Sequence, residues 1–381
     1  MAFTPKIARK RWVSAVTETT KGTDPNTGYN TMLLNVGVSN DSTANFIERD
    51  VLSADFGTFG GVTTSKVWDF KAQAEVKGGG AVSPVPEVDP LLQACAAKYE
   101  AGKVLVVPSI TGTFTVGETV TQGTTAISGV VLATTATNIF LRDVAGTFTD
   151  AALVTGGTSS ATATPSSVVT SALYTPTSDY AVMQTASIRD YPDGIIKQVT
   201  GAMGTATIAM ESDGLPTLDF TITGIYAAPV DSAATAGTVS DVDPQPFNGA
   251  TLKLGAMPAG CTGALKSLNF DMGNTVSQIK CAEAGDGITA IMITDAKPTV
   301  SINVTRPDLS DFNPFALRDA DDTFEVLTIY GTGAGERVAL GVPNAQITGL
   351  TESDSDGLDE YSIEAACTKD GVNPKWFLAF Y

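Results

Sequence analysis

The residues best placed to do chemistry in this 381-residue chain are its carboxylates. Asp and Glu number 41 against 23 Lys and Arg, a net charge of −18, and there is no His. Without His there is no Ser-His-Asp or Cys-His nucleophile, no His-ligated zinc and no haem on a proximal His. Any catalysis would fall to carboxylates, Lys, Tyr or Ser. Acidic groups recur in ESDG, DSDG and RDADD. Glycoside hydrolysis needs two acids facing each other across a cleft, one with a raised pKa. These clusters fall instead where turns are expected, and solvated hairpin turns are the favoured reading. Glu352, Asp354, Asp356 and Gly357 match the first, third, fifth and sixth places of a calcium loop, but Ile363 stands where a bidentate Glu belongs. Gly78-Gly79-Gly80 is followed by neither a GK[ST] triplet nor a helix start, so it reads as a flexible stretch before Pro84 rather than a phosphate cradle. Cys95, Cys261, Cys281 and Cys367 form no C-x-x-C pair and read as small packed hydrophobes in a reducing compartment. No metal, cofactor or catalytic residue is therefore expected. The acidity also argues against binding a phosphate backbone, which is different from letting DNA pass without sticking.

The elements that carry these residues are mostly strands. Period-two or β-branched stretches recur between Gly, Pro, Asn and Asp turns: TMLLNVGVS, KVWDFKAQAEV, GTATIAM, TLDFTITGIY, TAIMITD, TVSINVTR, FEVLTIYG, ERVALGV and YSIEAAC. In TLDFTITG, Leu218, Phe220 and Ile222 share one face and Thr217, Asp219 and Thr221 the other, as in an antiparallel strand with one wet face. Two short helices interrupt the pattern. DPLLQACAAKYEAG has Asp89 as N-cap, Pro90 at the first position, Leu91, Leu92 and Cys95 as an apolar stripe, and Gly102 as its close. DLSDFNPFALRDADD can be capped by Asp311 or Asn313, with Pro314 early and Phe312 and Phe315 nearby. The N-terminus carries Lys6, Arg9, Lys10 and Arg11 with no apolar run behind them, so no secretory signal is expected. This cluster serves equally as a contact for an acidic partner, including a second copy of the chain, or as a solvated tail.

The order strand, short helix, hairpin, strand, acidic turn, strand occurs twice. Duplication is the favoured explanation over chance likeness of β-rich text. The first copy is expected over 1–102 and 168–230, the second over 245–381, with a small polar, flexible linker over 231–244. Residues 103–167 interrupt the first copy with a Thr/Gly/Ala/Ser/Val-rich segment holding Lys103 and Arg142 against Glu118, Asp143 and Asp150. It repeats itself as TGTFTVGETVTQGTTAISG and AGTFTDAALVTGGTSSATA, and reads as a small β-domain. From Asp241 to Tyr381 there are nine basic and twenty acidic residues, so most of the charge belongs to the second copy.

Taken in order, these elements resemble the major tail tube proteins of long-tailed, siphovirus-type bacteriophages. The resemblance rests on DPLLQAC, on Tyr174-Thr175-Pro176-Thr177-Ser178, on Gly201 through Ile208, and on the run from Gly214 to Tyr226. LNFDMGNTV, TAIMITDAKPTVSI and PNAQI in the second half extend it. Ala96-Ala97 departs from the family, where Gly often follows the Cys. The resemblance implies a mainly β fold of duplicated tail-tube sandwich or barrel modules, each with a short flanking α-helix. The insertion then resembles a decorating domain on the surface.

The resemblance implies a structural virion protein that forms stacked rings around a tape measure protein, with genome DNA passing through. It implies contacts with tail terminator and baseplate or tip proteins, no membrane, location in the virion tail and synthesis in the host cytoplasm. Two modules per chain lead to homotrimeric, pseudo-hexameric rings, with hexameric rings the alternative. A loop reaching the next ring is expected over Thr43–Ser65, through Asn45, Phe46, Arg49, Asp50, Asp55, Phe56 and Phe59. Its counterpart is expected over Val276–Gly287, through Gln278, Lys280, Glu283 and Asp286. An ordinary surface hairpin is the simpler alternative for both. Competing functions are an extracellular Ig-like adhesin or surface-layer protein, which calls for a signal peptide, and a sugar-active β-protein, which calls for clustered aromatics. Trp12, Trp68 and Trp376 are scattered instead.

Overall fold

The structure is a computed structural model describing residues 10–381 apart from 53–58, 82, 233–236, 238, 256–264, 356 and 372. Strand makes up 56% and helix 3%, consistent with a β-sandwich. In the first half the strands are β1 (Arg11–Thr17), β2 (Asn30–Met32), β3 (Ser39–Arg49) and β4 (Phe59–Glu75), then α1 (Asp89–Ala94) and β5 (Ala97–Val106). Through the interruption run β6 (Ile110–Thr111), β7 (Thr119–Gln122), β8 (Thr124–Thr134), β9 (Asn138–Ala145), β10 (Val154–Gly156), β11 (Thr162–Ala163) and β12 (Ser167–Pro176). The first half then resumes with β13 (Ala186–Pro192), β14 (Ile195–Glu211), β15 (Thr217–Tyr226) and β16 (Val230–Asp231). The second half holds β17 (Thr251–Leu254), β18 (Leu265–Asp271), β19 (Asn274–Lys280), β20 (Ile288–Ala296) and β21 (Thr299–Thr305), then α2 (Pro314–Asp319). It ends with β22 (Thr323–Tyr330), β23 (Val338–Ser355), β24 (Leu358–Cys367) and β25 (Phe377–Phe380).

Hydrogen-bonded neighbours give the first half the order β1-β13-β14-β15-β4-β3. The second half has β17-β22-β23-β24-β21-β18. In each half the six strands follow in the same chain sequence, and the helix enters at the same place. The second hairpin is broken where the first is straight. Met272 and Gly273 separate β18 from β19, and Lys297 and Pro298 separate β20 from β21. Gly273 has φ 59°, and a Cβ there would lie 2.1 Å from the Lys297 carbonyl oxygen, so only glycine fits this bend.

The two helices are shorter than expected. α1 ends at Ala94, and Ala96 takes φ 58°, the left-handed conformation that usually falls to Gly. The segment expected to continue as helix to Gly102 is instead the start of β5, paired throughout with β12. Asp89 is the first helical residue rather than the cap; Val88 is the N-cap, with no side-chain hydrogen bond. Its carboxylate accepts from Gln93 Nε2 at 2.8 Å and from the Tyr174 hydroxyl at 2.7 Å. Pro90 is buried, and Leu91 and Leu92 are fully buried, each burial stabilising by about 1.5–3 kcal/mol. α2 is capped as expected by Asn313, whose Oδ1 accepts from Ala316 N at 3.0 Å. Pro314 and Phe312 are buried, and Phe315 packs edge-on to Tyr361.

Three further expectations change. TMLLNVGVS is not one strand: pairing of β2 stops at Met32, and Asn35 N bonds Gln73 O instead. The glycine triplet is packed rather than loose. A Cβ on Gly78 would lie 2.0 Å from the Gly335 carbonyl oxygen, and Gly80 N donates to the same oxygen. The linker is tied down in part, with Ser240 N bonded to Glu87 Oε2, and just beyond it Gln245 Nε2 donates to Glu336 Oε2. Cys95 and Cys367 are buried as expected; burial raises both thiols, Cys367 to about 12. Cys281 is half-buried, and Cys261, Lys6 and Arg9 lie outside the described residues. In the interruption the two repeated pieces lie side by side, β7 against β10, with Phe114, Phe148, Val120 and Val154 in one core. No helix among the described residues is long and apolar enough to cross a membrane.

Candidate assembly surfaces

Alternation along the strands sorts side chains onto two faces. Registers align one row across seven strands of both halves: Ala74, Leu218, Ile208, Phe270, Val300, Ala365 and Ile347. Every member is 8% exposed or less, and the row is part of the main core. The next row on the opposite face reads Gln73, Asp219, Thr207, Asp271, Thr299, Ala366 and Gln346, all partly or fully exposed. Asp41, Asp69, Glu211 and Glu364 extend this face, with Lys71 the basic residue among them. Across these rows the wet face is continuous over both halves, rich in Thr and Ser, and net acidic; further along the first half, at Val67 and Met203, the same face is apolar and buried.

Continuity depends on one junction. β14 pairs with β13 through its first part and with β18 from Thr207 to Glu211, so the second half is stitched onto the first as one sheet. The corresponding stretch of β23 has no such neighbour. Beyond Gln346 it pairs with β24 alone, up to Ser355. β3, which holds the place of β18, pairs only with β4. Among the described residues, then, one β14/β18 type of edge is closed and its counterpart, β23 and β3, is open. Unpaired edges of this length are templates for another chain.

The arms beyond these strands differ in the same way. From Asp41 to Asp50 every residue is exposed. Phe46 is 57%, Ile47 52% and Phe59 47% exposed. Asn45 Nδ2 donates to Thr64 Oγ1 at 3.0 Å; Arg49 pairs with Phe59, and Asp50 follows the strand. Asp55 and Phe56 lie outside the described residues. The second arm folds back over the first half. Ile288, Ile291 and Ile293 are buried against Val67, Met203 and Met183. Asn274 Nδ2 fixes its root, donating to Cys95 O at 2.8 Å and Gly204 O at 3.0 Å. Gln278, Lys280 and Glu283 remain exposed on its far side, and Asp286 is half-buried near its tip. The expectation that the two arms are equivalent loops therefore changes: among the described residues the first is exposed from Asp41 to Asp50 and is met near its root by Gly287 of the second, whereas the second buries one row of side chains on the first half. The sequence offered no sign of Asn274 or of the open β23 edge, whereas the wet face was already visible in the alternation of TLDFTITG.

No group of three or more potential metal-ligating carboxylates or thiols occurs among the described residues. Asp354 Oδ1 accepts from Gly357 N at 3.0 Å, a hairpin-turn contact. Comparison with curated proteins gives no match. A family model described as phage tail tube protein matches residues 109–365. That match spans more than half of the chain and takes in most of the interruption, β13–β15 of the first half and most of the second half, so the chain belongs to the phage tail tube protein family and is a structural component of a bacteriophage tail.

Proposed function

We propose that this chain builds the tail tube by repeating between copies the junction it already contains. The open edge of β23 receives β3 of the next copy, as β14 receives β18 within the chain, and the exposed arm of that copy folds over its neighbour. The observation that carries this reading is the shared strand order, with the same edge closed once and open once. It favours a duplicated module. Three chains with two modules each then close a pseudo-hexameric homotrimeric ring, with six single chains as the alternative. Rings stack through head-to-tail contacts. The rims holding Phe46, Phe59, Lys280 and Glu283 are suited to that contact.

In such a ring the continuous wet face lines the lumen. Asp219, Asp271 and Glu364 repel a phosphate backbone, so DNA slides rather than binds. The tape measure protein occupies the same channel before DNA, and terminator and tip proteins close the ends. The role is structural, in the virion tail, with no reaction to catalyse. Negative-stain microscopy of the purified chain tests it: rings or tubes are expected. A monomer at every concentration and salt condition would overturn it.

A further inference from the structure

β5 carries buried apolar side chains on both faces. Leu105 enters the core of the 103–167 insertion, together with Ile139 and Leu141. Val104 instead joins a second cluster, with Leu132 and Phe140 from the insertion. The rest of that cluster includes Leu327, Phe377 and Tyr381 from the other half of the chain. The Phe140 ring lies 5.9 Å from that of Phe377 and 5.6 Å from that of Tyr381, edge-on to the latter. Lys253 Nζ, held by Glu325 at 2.6 Å, donates to the Thr134 carbonyl of the insertion at 3.0 Å. β25 is shared: it pairs with β12 on one side and with β23 on the other. A domain that only decorates a surface turns a polar face outward, whereas a sheet covered on both faces is held from both sides.

We infer that the insertion, together with β25, is a brace that fixes the two halves of the chain against each other. The angle of the β14–β18 junction is then set not only near the junction, by the strand pairing and by the second arm packed on the first half, but also from a distance, by the wedge of Phe140 between the insertion and β25. This inference concerns the single chain and stands whether or not the ring reading holds.

Hydrogen exchange on the full-length chain, at concentrations where it is monomeric, tests the brace with Phe140→Ala. Ile139 and Leu141 face the other way, so the insertion's own core is kept. Amides of β25 and of Leu327–Ile329 should exchange at least about tenfold faster. Faster exchange should also appear at Thr207–Glu211, which Phe140 does not touch, while β7 and β10 keep their protection. Faster exchange confined to the insertion and β25, with Thr207–Glu211 unchanged, would overturn the brace and leave a local packing contact. If Phe140→Ala unfolds the insertion, Phe140→Leu decides. A brace predicts partial loosening of Thr207–Glu211, and an unchanged junction contradicts it.

Discussion

The two halves of the chain share a strand order and differ at three matching places. One inner edge is paired and the other open; one arm is bent and partly covered, the other straight and exposed; one helix starts on a half-buried carboxylate, the other on an amide cap. Covered features make the chain one body. Their uncovered counterparts contribute little to that body, and the proposed function assigns them to contacts with another copy.

The sharpest way to break this comparison is to alter the exposed arm. Phe46→Ser with Ile47→Ser should abolish polymer in sedimentation while changing unfolding free energy by no more than about 0.5 kcal/mol, because both side chains already face water. Retained tubes would remove the arm from the assembly surface. The matching change in the covered arm should act oppositely. Ile291→Ala empties a site that is 1% exposed and should cost about 2–5 kcal/mol in urea unfolding. An effect on assembly alone would erase the distinction between the arms.

The helix starts give the smallest effect. Burial raises the Asp89 carboxyl pKa, although hydrogen bonds from Tyr174 and Gln93 oppose the shift. With the folded pKa above the unfolded one, the stability linked to its proton is fully present below the unfolded value and is lost as pH rises through the folded value. Denaturation across that range should therefore show Asp89→Asn gaining on the wild type as pH rises. Asn313→Ala should cost about 1 kcal/mol at every pH, since an amide cap does not titrate. Parallel pH profiles for the two variants would contradict the assignment.

Much of this organisation was legible in the sequence, because alternation reports which face is buried. Leu218, Phe220 and Ile222 against Asp219 and Thr221 already separated the core from the wet face. Pro90 and Pro314 likewise located both helices. The end of α1 was not legible: Ala96 adopts a left-handed turn without the glycine that normally announces it. The bend of the second arm was hidden for a similar reason, since Gly273 and Pro298 look like any turn until the Lys297 carbonyl is placed beside them. Val104 and Leu105 are adjacent apolar residues in the sequence, and only the tertiary structure shows that they serve two different cores. The open edge of β23 was beyond sequence altogether, because an unpaired edge has the same side-chain alternation as a paired one.

The central claim is that β23 and β3 close between copies as β14 and β18 close within one. A cryo-EM reconstruction of the assembled tube at side-chain resolution tests it most directly. The account predicts three chains and six similar lobes per ring, with β3 of each chain hydrogen-bonded to the outer part of β23 of its neighbour. Six complete chains in a ring, or a tube in which β3 stays unpaired, would contradict it.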